Sequence, residues 1–240
     1  MVITYWSDYA CPYCYIGETY LKKAIKEIQE KDGITADIQI EMKAFELDSE
    51  ASKQYTGPTV ERFAKKYRLS VQEAAERIET ISQMGREAGL EFHYAKTRYT
   101  NTFDAHRLTK LAQSKPDRTL ADRISERLYR AYFSESLELA DREVLIRIAK
   151  EEGMDESEAR EMLISDAYAD DVRLDEKEAY RCCVQAVPFF VLGGKYSVPG
   201  VMPVSGMKDA LRKVLQEEVQ TMTAQGMCCG PDGCHMEDCK

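Results

Sequence analysis

Residues 11–14 of the chain read Cys11-Pro12-Tyr13-Cys14, and they stand between an apolar run, Val2 to Trp6, and an amphipathic segment. The run reads as a strand and the segment as a helix, so both thiols fall where a strand ends and a helix begins. Backbone N–H groups at a helix N-terminus lack intrahelical acceptors, and the helix dipole favours negative charge there. That environment favours the thiolate over the thiol at Cys11. Cys14, one turn further on, is placed to attack a mixed disulfide on Cys11 and close an internal one. Pro12 at the first helical turn gives up only an N–H that would lack a partner anyway. The pattern predicts a dithiol–disulfide exchange site. Half a zinc site and a pair of inert thiols are the duller readings. Zinc takes about four ligands, and no second pair follows at zinc-finger spacing. Inert buried thiols have no reason to sit at a helix start.

The formal net charge of −9 speaks against nucleic acid and anionic membranes as partners. No apolar run approaches the length of a membrane span. No positively charged leader precedes the first strand, so the expected address is the cytoplasm. Lasting disulfides are uncommon there, and eight cysteines then point to transient redox chemistry or metal binding rather than to a framework of staples. At 240 residues the chain is long enough for one or two domains with a sizeable core.

After Cys14, Leu21, Ala24, Ile25 and Ile28 recur on one helical face, and Lys31-Asp32-Gly33 ends that helix. Ile38, Ile40 and Met42 alternate with polar residues from Asp37 to Lys43, which predicts a half-buried strand. Strand, CxxC, helix, strand is the opening βαβ of a thioredoxin-type fold. From Gly57-Pro58 the pattern turns helical. Ser70 and Glu73 form a capping-box signature for a helix reaching about Ala88, with Gly89 as its stop. Asn101, Asp141 and Asp155 read as further N-caps and Pro116-Asp117 as a break. The Leu, Met and Tyr stripes of this block read as packing. Strand signals return at Val187 to Leu192. Gly193-Gly194 reads as a two-residue hairpin turn, Lys195 to Val198 as the returning strand, and Ser205 opens a final helix. The predicted class is α/β: a thioredoxin-like fold with a large all-helical insertion between N-terminal βαβ and C-terminal ββα parts. The expected division is 1–57 with 182–225 as one discontinuous thioredoxin-like domain, 58–181 as the helical insertion, and 226–240 as a Cys-rich tail.

Three separated motifs carry a family likeness: Tyr9-Ala10-Cys11-Pro12-Tyr13-Cys14-Tyr15-Ile16-Gly17, Asn101-Thr102-Phe103-Asp104-Ala105-His106-Arg107-Leu108 and Val187-Pro188-Phe189-Phe190-Val191. In this order, and with the Cys-rich tail, they resemble the DsbA-like thioredoxin superfamily and its cytoplasmic FrnE-type branch. The resemblance spans nearly the whole chain. It implies a thiol–disulfide oxidoreductase or isomerase in which Cys11 attacks, Cys14 resolves, and Val187-Pro188 is a cis-proline loop facing them. Val187 would then offer backbone groups to an extended substrate. No bound cofactor is implied. Glutathione is a candidate co-substrate, and the implied partners are disulfide-bearing proteins or small-molecule thiols. The superfamily also holds 2-hydroxychromene-2-carboxylate isomerases and kappa-type glutathione transferases. Their usual serine nucleophile, with no second cysteine, is at odds with Cys14. The chain departs from the family pattern at Cys183 and Ala186, where glycine is usual, and at Pro199-Gly200-Val201, where serine-glycine-alanine is usual.

Cys182 and Cys183 read as small buried hydrophobes, with accessory redox groups as the other reading. The resemblance places His106 near the active site, as a candidate to tune Cys11 or shuttle protons; a hydrogen-bonded structural histidine is the alternative. In the tail, turn chemistry over Gly230-Pro231-Asp232-Gly233 folds Cys229 back toward Cys234. The resemblance makes Cys229 and Cys234 a candidate accessory redox pair that relays to the CxxC. Cys228, Cys229, Cys234, His235 and Cys239 also supply soft ligands enough for zinc, at a spacing no standard finger has. That keeps a thiol-rich metal-binding or chaperone-like module open beside the enzyme. No metal ligand set is assigned, and the sequence carries no sign of oligomeric state.

Overall fold

The computed structural model of the chain describes residues 1–226. Its sheet has the order β2-β1-β3-β4. At the centre lies β1 (Val2–Ser7), parallel to β2 (Gln39–Ala44) and antiparallel to β3 (Phe189–Leu192), which in turn pairs antiparallel with β4 (Tyr196–Pro199). Both ends of the chain therefore meet in one sheet. The strand pleat sends Ile3 and Tyr5 to one face and Trp6 to the other. Tyr5 stacks on Phe190, its partner across the ladder, with ring centroids 5.5 Å apart.

Helix α1 (Pro12–Lys31) lies on the Tyr5 face and buries Leu21, Ala24, Ile25 and Ile28. Helices α2 (Thr59–Tyr67), α3 (Val71–Glu87), α4 (Phe103–Gln113), α5 (Leu120–Phe133), α6 (Arg142–Glu151), α7 (Glu156–Ile164) and α8 (Ala169–Arg181) form the insertion. The last helix, α9 (Val204–Gly226), packs beside α1 and is tied to it by Lys208–Glu27 and Arg212–Asp32 ion pairs. On the Trp6 face, the indole N–H donates to the Asp175 carbonyl of α8 at 3.0 Å. The Asp175 carboxylate accepts the Ala44 N–H at 2.8 Å and pairs with Lys110 of α4 at 2.5 Å, which fixes the end of β2 to two helices of the insertion. An aromatic seam joins α1 to α5 on the opposite side: Tyr15 stacks on Tyr129 at 4.8 Å, and Phe92 stacks on Phe133 at 4.5 Å.

The local signals map onto real caps. Ser70 Oγ accepts the Glu73 N–H at 3.2 Å while the Glu73 carboxylate accepts the Ser70 N–H at 2.8 Å. Asp141 and Asp155 accept N–H groups of Glu143 and Glu158. Asn101 is one residue early, because the N-cap of α4 is Thr102; Asn101 Oδ1 nonetheless accepts the Phe103 N–H at 3.0 Å. Three strands start later than their patterns suggest, and β3 begins at Phe189 because Pro188 before it has no N–H to give the ladder. β2 begins at Gln39 because its parallel partner β1 begins at Val2; ahead of the ladder, the Asp37 carbonyl accepts the Met1 ammonium at 2.9 Å and the Gln39 N–H donates to Met1 O at 3.0 Å. β4 begins at Tyr196 because the Lys195 N–H closes the turn onto Leu192 O at 3.1 Å.

Candidate active site

Strand β1 runs straight into the dithiol. The chain turns over at Asp8, whose carbonyl accepts the Cys11 N–H at 3.0 Å. The Asp8 carboxylate is buried beneath this loop and accepts two more N–H groups, Ala10 at 3.1 Å and Leu47 at 2.7 Å. Cys11 is the N-cap of α1, extended at φ −88° and ψ 114°, and Pro12 takes the first helical position. The Cys14 N–H donates to the Cys11 carbonyl at 3.2 Å, which closes the first turn. Both residues are free thiols. Cys14 is fully buried at 0% exposure, while Cys11 at 4% faces a cavity. Burial pushes the Cys14 thiol well above its ordinary value; Cys11 adds to the rise, and Ser7 and the Asp8 backbone oppose it without cancelling it.

The Val187–Pro188 peptide is cis, and the Cys11 thiol donates to the Val187 carbonyl at 3.6 Å. Helix α1 approaches this loop closely at Gly17, where an added Cβ would lie 3.0 Å from Pro188 Cγ. The loop from Gln185 to Val187 and the Cys11–Tyr13 turn border one cavity of about 490 Å³. Its opposite wall comes from the insertion: Arg62 and Lys66 of α2 and Arg77 of α3.

His106 does not line this cavity. It is 1% exposed on α4, with Nε2 at 3.8 Å from Asp8 Oδ1 and its ring 4.9 Å from that of Tyr9. Its link to Cys11 runs through Asp8. Burial acts to raise the Asp8 carboxyl, but His106 and the Leu47 and Ala10 N–H groups outweigh it and hold that carboxyl below its ordinary value.

Cys182 and Cys183 are exposed, which corrects their reading as buried hydrophobes. They end α8 in a Schellman-type turn: the Cys183 N–H donates to Tyr180 O and the Val184 N–H to Ala179 O. Cys183 takes the left-handed position of that turn at φ +56°, a conformation that favours glycine. The turn buries Val184 and Ala179 and leaves both thiols outside. Cys228, Cys229, Cys234, His235 and Cys239 lie outside the described residues. Among the described residues no cluster of three His, Cys, Asp or Glu could hold a metal ion, and no helix is long and apolar enough to cross a membrane. Motif reading passed over Asp8, Arg62, Lys66 and Arg77. Arg62 and Lys66 stand four apart on one helix face, a signal visible in the sequence; Arg77 joins them only when α2 packs on α3.

A family model described as a DSBA-like thioredoxin domain matches residues 2–212. The chain belongs to that family. It is 25% identical over 221 residues to the uncharacterized protein YwbO of Bacillus subtilis, covering 90% of this chain and 96% of that protein. The crystal structure of a probable DsbA oxidoreductase, SCO1869 from Streptomyces coelicolor, superimposes with a TM-score of 0.81 at 31% identity, covering 98% of this chain and 99% of the other. A 2-hydroxychromene-2-carboxylate isomerase shares the fold at a TM-score of 0.59 and 13% identity, over 95% of this chain and 98% of its own. Disulfide and isomerase proteins thus use one architecture, and the chemistry has to be argued from the site.

Proposed function

We propose that this DSBA-like chain is a thiol–disulfide oxidoreductase of the FrnE type, working in the cytoplasm on disulfide-bearing proteins or small-molecule disulfides. The observation that carries the reading is the unequal placement of the two thiols: Cys11 opens onto a cavity, and Cys14 lies sealed one turn behind it. The Cys11 thiolate attacks one sulfur of a disulfide RS–SR. A Cys11–SR bond forms and the first thiolate RS⁻ leaves, taking a proton from solvent. Cys14 loses its proton and attacks Cys11 Sγ, which forms the Cys11–Cys14 disulfide and releases the second RS⁻. The dithiol gives up two electrons and two protons, and the substrate disulfide gains them; run backward, the same steps oxidise a dithiol. Cys11 stands at the N-terminus of helix α1, the end at which a helix dipole favours negative charge. The Val187 backbone, 3.6 Å from Cys11 Sγ, is placed to pair with an extended substrate. The isomerase and transferase readings gain nothing from a second thiol behind the first.

Single-cysteine variants test this reading. Cys11→Ser abolishes exchange with hydroxyethyl disulfide. Cys14→Ser completes the first step only and accumulates a mixed disulfide on Cys11, seen as an adduct by intact mass. Because Cys14 is the thiol raised by burial, the release of the second thiol in the wild type accelerates as pH rises through the ordinary thiol range. Undiminished exchange by Cys11→Ser would discard the proposal.

A further inference from the structure

The cavity over Cys11 is basic in a chain that is acidic. The sequence holds 42 Asp and Glu against 33 Lys and Arg, yet Arg62, Lys66 and Arg77 line this cavity and, among the described residues, no carboxylate does. Most buried or half-buried cations of the fold have a carboxylate, as Lys22 has Glu18 and Arg107 has Asp104. Arg62, half-buried, has no ion pair or side-chain hydrogen bond among the described residues, and neither have the exposed Lys66 and Arg77 beside it. The acids around Arg77 are engaged elsewhere: the Glu73 carboxylate by the Ser70 cap, Glu76 by the Gln72 amide at 3.1 Å and Glu79 by Arg86 at 2.5 Å. The Arg62 Nε is buried with no hydrogen-bond partner. Its guanidinium stacks on the Tyr99 ring at 3.6 Å, which holds it in place without neutralising it. Lys66 lies 5.8 Å from the Tyr67 ring. A guanidinium held on an aromatic ring with an unpartnered N–H, flanked by the exposed Lys66 and Arg77 at the mouth of a reactive thiol, is suited to an anion.

Building on the oxidoreductase reading, we infer that Arg62, Lys66 and Arg77 select small disulfides and thiols that carry carboxylates, and hold the carboxylates while Cys11 attacks the sulfur. A cavity of about 490 Å³ is of the size that encloses a small molecule. The floor supplies the nucleophile and the Val187 carbonyl; the wall contributed by α2 and α3 supplies the charge. Arg62 carries the largest share, since it is the cation both stacked and left with a buried, unpartnered N–H.

The test uses the reduced full chain and two disulfides alike in size, 3,3′-dithiodipropionate and its dimethyl ester. Each second-order rate is divided by that of the same disulfide with free dithiothreitol, which removes intrinsic reactivity. The dianion is expected to be favoured over the ester by about tenfold or more at low salt, and to lose that advantage as sodium chloride is added. Arg62→Gln with Arg77→Gln brings the ratio close to unity. Lys65→Gln removes one positive charge from an exposed position of α2 outside the cavity and leaves the ratio as it was. A wild-type ratio near unity with both disulfides reacting overturns the inference and leaves the oxidoreductase standing. A ratio unmoved in a folded double variant overturns the assignment to these residues; if that variant does not fold, a wild-type ratio indifferent to salt does the same. Failure of the dianion to react with a wild type that exchanges with hydroxyethyl disulfide overturns the inference alone; failure of all three disulfides removes both readings together.

Discussion

Cys11 and Cys14 are separated by two residues and by a large difference in surroundings, and Asp8 is the side chain that shapes the loop between β1 and the first of them. That loop was legible only in part. The thiols announce themselves through a local motif, whereas Asp8 is an ordinary acid until Leu47, Ala10 and His106 converge on it. Its carboxyl is subject to burial, which acts to raise it, and to His106 and two backbone N–H groups, which together lower it further than burial raises it. A carboxyl lowered on folding stabilises the protein above its unfolded value, and that contribution is lost as pH falls through the lowered folded value. Asp8→Asn is therefore expected to lower the melting temperature at neutral pH and to flatten its fall in the acid range. Thermal melts of both proteins across that range check this. Parallel curves for wild type and variant would mean that Asp8 has no stabilising partner.

At the scale of elements, caps and punctuation were readable because they act within a few residues. The capping box of α3 and the N-cap aspartates of α6 and α7 are of this kind. Where helices meet was not readable, since no short pattern encodes it. Gly85 shows the difference: inside α3 it looks like a weak helix former, yet a Cβ there would stand 2.5 Å from Phe92 Cγ. Phe92 cannot retreat easily, because it stacks on Phe133 in the aromatic seam. Gly85→Ala is expected to destabilise by about 1–3 kcal/mol through overpacking, against a helix-propensity gain of under about 1 kcal/mol. Ser70→Ala loses a cap and costs about 1 kcal/mol. Urea denaturation measures both, and a stabilised Gly85→Ala would refute this placement of Phe92.

For the whole molecule, the sequence pattern of strands at both ends and helices between them carried the architecture, because only one sheet can take up both ends. The cavity escaped that reading. Its floor comes from residues 10–13 and 185–187 and its charged wall from α2 and α3, so it exists only once the insertion is folded against the thioredoxin-like part. The exposed pair Cys182 and Cys183 escaped it too, since hydrophobicity alone does not say which side of a helix-ending turn a thiol takes. On this account the insertion recognises the substrate while the thioredoxin-like part performs exchange at the Cys11–Cys14 dithiol. The direct measurement equilibrates the full chain in glutathione buffers of graded ratio, alkylates it, and maps each cysteine by mass. Cys11 and Cys14 should lose their free thiols together, in one two-electron transition whose midpoint gives the direction in which the protein works. If the two remain separately alkylated, or carry only glutathione singly across the whole range, they are not a redox pair, and the account fails at its centre.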